Sequence, residues 1–208
     1  MNILIVDDHA IVRQGLRQIL LESDSTIFVK EADCGSEAIR QIRAGEWNVV
    51  VLDISLPDRN GIDILKQIKK EYPNIPVPLL SMPAEGLYAI RALKAGASGY
   101  ITKQSAPAEL MAAIHQVARG RKYLTATLAE AMADSLGADH ERLPHETLSD
   151  REYQTLCLIA SGKGLPDVAE EMRLSVKTVS VYRARLLEKM KLKNNAELTH
   201  YAIKNGLA

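Results

Sequence analysis

Brief aliphatic runs alternate with longer amphipathic stretches through the first half of this chain. The runs lie near residues 3–7, 27–31, 49–53, 77–81 and 98–102, and their length and β-branched content predict strands. Between them, apolar side chains recur at three- and four-residue spacing: Val12, Leu16, Ile19 and Leu20; Ala38, Ile39 and Ile42; Ile62, Leu65 and Ile68; Tyr88, Ala89 and Leu93; Leu110, Ile114 and Val117. Such spacing places each set on one face of a helix. Strand and helix in regular alternation predict an α/β domain, a doubly wound five-stranded parallel sheet. Gly45 after the second helix, and Pro73 with Pro76 after the third, fit as stops. Pro78 is the misfit: it has no amide to give a central strand, so it is expected where pairing begins.

Past Gly120 the pattern changes. An Ala-rich helical segment is expected from about Thr125 to Leu136, followed by a polar, acidic run from Gly137 to Glu146 that contains Pro144. From Leu148 onward the apolar spacing is wholly helical: Leu156, Leu158 and Ile159; Val168, Ala169 and Met172; Val176, Val179, Leu186, Leu187 and Met190; Leu198, Tyr201 and Ala202. Four helices this short are stable only when packed together. The expected organisation is thus an α/β domain over 1–121, a linker with a helical segment over 122–146, and a smaller all-α domain over 147–208.

Composition narrows the class. No apolar stretch approaches the roughly 20 residues of a membrane helix, and Asp7 arrives too early for a signal peptide, so a cytoplasmic location is expected. Cys34 and Cys157, one in each half, have neither disulfide nor zinc spacing and read as buried reduced thiols. The 26 basic and 26 acidic residues cancel, but unevenly: residues 147–208 carry ten basic against seven acidic side chains. Within them, residues 175–193 hold six basic side chains against Glu188 alone. A stretch of that density could bind a polyanion, the plainer alternative being a solvated helix face.

Four of the strand-forming runs end in chemically capable residues: Asp7-Asp8, Asp53, Ser81 and, just beyond the last run, Lys103. In open α/β sheets ligands bind beyond the carboxyl ends of the strands, so these side chains meet at one sheet edge. Three carboxylates suit magnesium (or manganese), which prefers oxygen ligands and retains water. Asp53, on the middle strand, is the expected nucleophile for a phosphoryl group. Lys103 would neutralise the equatorial oxygens, and the Ser81 hydroxyl would donate a hydrogen bond. The plainer alternatives are helix capping by Asp7-Asp8 and a solvated Lys103.

The same residues carry a resemblance. Ile-Val-Asp-Asp-His at 5–9, Leu-Asp-Ile-Ser-Leu-Pro-Asp at 52–58 with Asn60-Gly61, Leu-Ser-Met at 80–82, and Ala-Leu-Lys-Ala-Gly-Ala-Ser-Gly-Tyr-Ile-Thr-Lys at 92–103 resemble the receiver domain of bacterial response regulators, a flavodoxin-like fold. The resemblance implies that a sensor histidine kinase phosphorylates Asp53. It also implies that Asp8, Asp53 and the backbone carbonyl of Ser55 bind the metal with Asp7 assisting, and that Ser81 and Tyr100 move on activation. Pro78 and Pro83 depart from the usual residues around the fourth strand.

In the C-terminal part, Ser149 followed three residues later by Glu152 is a capping signature. A second helix is expected to start around Pro166 and a third after Ser175, with Val176, Val179, Leu186, Leu187 and Met190 as its buried stripe. Its opposite face carries Lys177, Ser180, Val181, Ala184 and Glu188, flanked by Thr178 and Arg185. Val181 could touch a thymine methyl while Lys177 reads a purine edge and Thr178, Arg183 and Arg185 meet phosphates. The competing reading is a protein-packing module. Leu-Ser-Asp-Arg-Glu at 148–152, Ile-Ala-Ser-Gly-Lys at 159–163, Val-Ala-Glu at 168–170 and Leu-Ser-Val-Lys-Thr-Val at 174–179 are similar to the LuxR-type helix-turn-helix, so the whole chain resembles a NarL/FixJ-family response regulator. That resemblance implies homodimeric binding to double-stranded DNA, with Ala196, Thr199 and His200 on a dimerisation helix and RNA polymerase a candidate partner. Gly164-Leu165-Pro166 departs from the polar residues usual there. For receiver dimers through the first and fifth helices, Ile11, Met111 and His115 are the expected exposed residues.

Two rivals remain. A phosphatase using Asp53 would want a second acid two residues on, where Ser55 stands, so an enzyme is not expected. A DNA-binding regulator whose receiver serves as a phosphorylation-independent interaction module takes its motive from Pro78 and Pro83.

Overall fold

A computed structural model describes residues 1–81, 88–125, 128–130 and 143–207. Its contacts divide the chain into two compact units, Met1–Gly137 and Ala138–Ala208.

In the first unit, β1 (Asn2–Val6), β2 (Phe28–Ala32), β3 (Val49–Asp53), β4 (Pro78–Ser81) and β5 (Gly99–Thr102) form one sheet of order β2-β1-β3-β4-β5. All pairings are parallel. Helices α1 (Ala10–Ser23), α2 (Gly35–Ala44), α3 (Gly61–Glu71), α4 (Ala89–Lys94) and α5 (Pro107–Ala118) connect the strands, so every strand lies within a residue of its expected position. Ile3, Ile5, Val49, Val51, Leu80 and Ile101 form one core with Leu20 of α1 and Leu110, Met111, Ile114 and Val117 of α5. Alternate residues Leu4, Val50, Leu52 and Leu79, equally buried, turn to the opposite face.

Met111 corrects an expectation: it is 8% exposed within that core, because α5 turns a wider face to the sheet than its three marker residues suggested. Ile11 is 81% exposed as expected, and His115 is half-buried. Pro78 is the first residue of β4, and the preceding amide, Val77 N, donates to Ser98 Oγ at 3.1 Å. Beyond α5 the chain turns back along β5. Tyr123 N donates to Ser98 O at 2.9 Å, forming a parallel bridge with Gly99, and Tyr123 Oη donates to Glu109 Oε1 at 3.0 Å. Of the helix expected over 125–136, residues 128–130 are helical; residues 126–127 and 131–136 lie outside the described residues, as does Pro83. Among the described residues no helix is long and apolar enough to cross a membrane.

The second unit contains a 3-10 turn at Pro144–Thr147, then α6 (Asp150–Ala160), α7 (Leu165–Glu171), α8 (Val176–Met190) and α9 (Asn195–Lys204). Ser149 and Glu152 form the expected capping box. Glu152 does more: its carboxylate, 4% exposed, lies 2.6 Å from Lys189 Nζ and so ties α6 to α8. Tyr153, Leu156, Ile159, Val168, Met172, Val179, Leu186, Met190 and Leu198 make the buried interior. Residues 144–146, read from sequence as the end of a linker, form with Thr147 a 3-10 turn in which His145 Nδ1 lies 2.9 Å from Tyr201 Oη.

Two further expectations are corrected. Val176 is 46% exposed, not part of the buried stripe; it is the first residue of α8, next to exposed Ser175 and Lys177, where the helix end opens to solvent. Cys34 and Cys157 are in no disulfide but are half-buried rather than buried; Cys34 stands just before α2 with its Sγ 3.3 Å from the exposed Ser36 hydroxyl, and Cys157 is followed on α6 by half-buried Leu158.

Candidate functional site: an acid cluster and a helix-turn-helix

Parallel pairing brings the carboxyl ends of β1, β3, β4 and β5 to one edge, with the reversal of strand order between β1 and β3. Asp7 and Asp8 follow β1, Asp53 ends β3, Ser81 ends β4 and Lys103 follows β5. Asp7 and Asp53 are 0% and 1% exposed. Lys103 Nζ reaches both, at 2.8 Å from Asp7 Oδ2 and 2.9 Å from Asp53 Oδ2. The solvated reading of Lys103 therefore fails, and its own amide is fixed by donating to Ser81 O at 2.7 Å. Capping does not explain Asp7-Asp8 either: the α1 N-cap is His9, and Asp7 Oδ1 instead accepts from His9 N at 2.8 Å.

Charge in this pocket is unbalanced. Burial, then the Asp7 charge, pushes the Asp53 carboxyl above its ordinary range, against the pull of Lys103 and the Ser55 amide. Burial acts to lower the Lys103 pKa, but Asp53 and Asp7 outweigh it and hold the ammonium charged. Ligand atoms of Asp7, Asp8, His9 and Asp53 all lie within 4.8 Å of one another. Buried carboxylates of Asp7, Asp8 and Asp53 against Lys103 leave an excess of negative charge that a further cation would compensate. The donor set, all hard oxygens apart from His9, fits magnesium or manganese. His9 was missed in sequence as a member of this group, although it directly follows the acid pair.

Ser81, fully buried, does not point its hydrogen at the acids; Ser81 Oγ donates to Tyr100 Oη at 2.6 Å. Serine and tyrosine thus form one hydrogen-bonded unit beside Asp53. The loop after Asp53 is anchored by Asp58, whose two carboxylate oxygens accept from Gly35 N and Ser36 N at 2.8 Å each. Despite partial burial, those amides hold the Asp58 carboxyl below its usual range. Nothing local in the sequence marks this cross-loop cap of α2. Arg13 was also missed: its Nη1 donates to Asp7 O at 2.7 Å.

In the second unit, α7, the turn at 172–175 and α8 make a helix-turn-helix, with Arg173 in the left-handed region at φ 53°. Ser175 Oγ accepts from Thr178 N at 3.0 Å, the expected cap. Along α8, Lys177, Val181, Ala184 and Arg185 are exposed, while Thr178, Ser180 and Arg183 are half-buried. Arg183 is partly committed inside the unit, donating from Nε to Asn195 Oδ1 at 2.6 Å. On α9, Ala196 and His200 are exposed and Thr199 is half-buried. Ala196 and His200 line a shallow groove with Leu192 and Tyr201.

Comparison with known proteins agrees with both halves. Residues 3–115 match the family described as response regulator receiver domain, and residues 146–202 match bacterial regulatory proteins of the luxR family. The chain is 35% identical to the response regulator UvrY of Escherichia coli K12 over 207 residues, covering 99% of this chain and 95% of that protein. It is 31% identical to the response regulator GacA of Pseudomonas aeruginosa, covering 99% and 97%. Among solved structures it resembles RcsB of Salmonella enterica serovar Typhimurium bound to promoter rprA in the presence of the phosphomimetic BeF3-. There the TM-score is 0.60 at 27% identity, over 97% of this chain and 98% of that one. RcsB has also been solved as two dimers bound to two parallel DNAs.

Proposed function

Because this chain belongs to the NarL/FixJ-type response regulators, DNA-binding proteins controlled by phosphorylation, we propose that Asp53 is its phosphoacceptor and α8 its DNA-reading helix. The observation that carries this reading is the buried Asp7–Lys103–Asp53 arrangement at the carboxyl edge of the sheet. An Asp53 carboxylate oxygen attacks phosphorus, the new O–P bond forms, and the phosphoryl group leaves the kinase's histidine nitrogen. Lys103 neutralises charge that builds on the equatorial oxygens. Asp7, Asp8, Asp53 and the Ser55 carbonyl would hold magnesium or manganese, which when bound supplies further positive charge to those oxygens. The Ser81 hydroxyl then exchanges its Tyr100 partner for a phosphoryl oxygen, and the two residues relay the change. A few kcal/mol of differential stabilisation is enough to shift a two-state population.

The receiver over 1–121 acts through the linker at 122–146 on the DNA-binding part at 147–208. Lys177, Ser180, Val181 and Ala184 face base edges; Thr178, Arg183 and Arg185 face phosphates. A homodimer joined through Ala196, Thr199 and His200 reads two half-sites about one helical turn apart; dimers of RcsB, which this chain resembles, have been solved bound to DNA. The protein acts in the cytoplasm as a regulator with no enzyme activity beyond its own phosphoryl chemistry, and RNA polymerase is a further partner. The test is to treat wild type and Asp53→Asn with a small phosphodonor and magnesium, then measure phosphoryl incorporation and binding to promoter DNA. Incorporation and enhanced binding are expected for wild type alone; a variant that matches wild type in both overturns the reading.

A further inference from the structure

Arg13 lies outside the acid cluster yet grips the backbone that carries it. Its side chain, on α1, is 16% exposed. Nη1 donates to the Asp7 carbonyl at 2.7 Å, and Nε donates to Glu31 Oε2 at 3.1 Å. Glu31 belongs to β2; its carbonyl accepts from Gln41 Nε2 at 2.8 Å and its carboxylate lies 3.8 Å from Arg17. The guanidinium is therefore braced by β2 at one end and holds the chain leaving β1 at the other. The carbonyl it holds belongs to the peptide that joins Asp7 to Asp8. On the other side of Asp7, its amide donates to Ala32 O at 3.1 Å. A rotation of that one peptide would turn both carboxylates at once; Lys103 and the His9 amide hold the Asp7 carboxylate itself, and Arg13 opposes the rotation at the peptide carbonyl.

We propose that Arg13 is a positioning residue for a divalent cation at the acid cluster, fixing the Asp7–Asp8 peptide and hence the relative aim of the two carboxylates. The proposal rests on the reading of the cluster as a cation site. A guanidinium suits the task because its fork of rigid donors serves two acceptors at fixed angles, which a lysine ammonium does not do. Partners that orient ligands from behind characteristically alter metal affinity by about 10–100-fold.

The test is a titration of the full-length, metal-free chain with Mn2+, free ion being read by electron paramagnetic resonance, alongside urea unfolding without metal. Arg13→Met, which keeps the aliphatic stem, is expected to bind Mn2+ about tenfold more weakly, and Arg13→Lys to recover part of the loss. Glu31→Gln weakens the ion pair between α1 and β2 while leaving the Arg13–Asp7 bond, so it should lower stability without lowering affinity. If Arg13→Met binds Mn2+ as wild type does, or if both variants lose affinity in proportion to stability, Arg13 is only a tie between elements and the proposal falls. If wild type shows no saturable Mn2+ binding, the reading of the cluster itself fails.

Discussion

Gly61 opens α3 directly against the strand that carries Asp53. A Cβ built there would lie 2.7 Å from Ile54 Cα and closer still to the Asp53 carbonyl oxygen, whereas carbon contacts settle at about 3.5–4.0 Å. Neither neighbour is a flexible side-chain tip: both are backbone at the end of a fully buried central strand. Gly61→Ala must therefore open the loop by close to an ångström, straining the Gly61 N–Ile54 O bond, now 2.7 Å, at a cost of about 3 kcal/mol. Gly15 is the control, lying inside α1 with nothing within 4 Å of its would-be Cβ. Gly15→Ala should stabilise by about 0.8 kcal/mol through helix propensity. Trp47 is the one tryptophan and lies in the first unit, so its emission reports that unit alone during urea unfolding of the whole chain. With a slope of about 2 kcal/mol per molar urea, Gly61→Ala should lower the midpoint by about 1.5 M and Gly15→Ala raise it by about 0.4 M. Phosphoryl incorporation should fall in the first variant and hold in the second. Equal midpoints for Gly61→Ala and wild type would refute the claim that the phosphoacceptor strand and α3 meet without room for a methyl group.

Other outcomes follow from the same geometry. Lys103→Met leaves Asp7 and Asp53 buried without their shared cation and should cost about 3 kcal/mol at neutral pH, read by Trp47 emission. A carboxyl whose folded pKa is raised above its unfolded value weakens the fold as pH climbs between the two, so this deficit should shrink towards pH 4. Lys189→Met should lower the stability of the second unit by about 1–2 kcal/mol, followed by hydrogen exchange of α6 amides. The Glu152 carboxyl, which burial would raise, is held below its usual range by Lys189 and Ser149. The wild-type contribution is therefore complete above about pH 4.3 and lost as pH falls through the lower folded value. On α8, Val179→Ser should cost about 2 kcal/mol, while Val176→Ser, at an exposed position, should stay within about 0.5 kcal/mol.

Strand ends were legible because burial and charge conflict there: an acid that closes a wholly aliphatic run has few reasons to exist other than chemistry. Asp53 and Lys103 were found on that ground, and the capping box at Ser149 and the simple cap at Ser175 on an equally local one. What escaped depends on neighbours distant in sequence. Asp58 caps a helix 22 residues upstream, Arg13 reaches back to β1, and Glu152 finds Lys189 across the bundle. Helical spacing also names a face without saying how far a neighbour extends along it. Met111 was placed outside and lies inside for that reason; Val176, at the end of its helix, is the reverse case.

The Tyr123 bridge has a practical corollary for dissecting the chain. An outer strand with unoccupied amides and carbonyls is a template for another molecule's strand, and here Tyr123 occupies the Ser98 carbonyl beside β5. A fragment cut after Arg121, where the spacing of apolar residues suggests a boundary, removes that cover and strands Glu109 without its phenol. Such a fragment would retain every residue of the acid cluster and still be prone to intermolecular sheet growth. Carried two or three residues further, the same fragment keeps its margin closed.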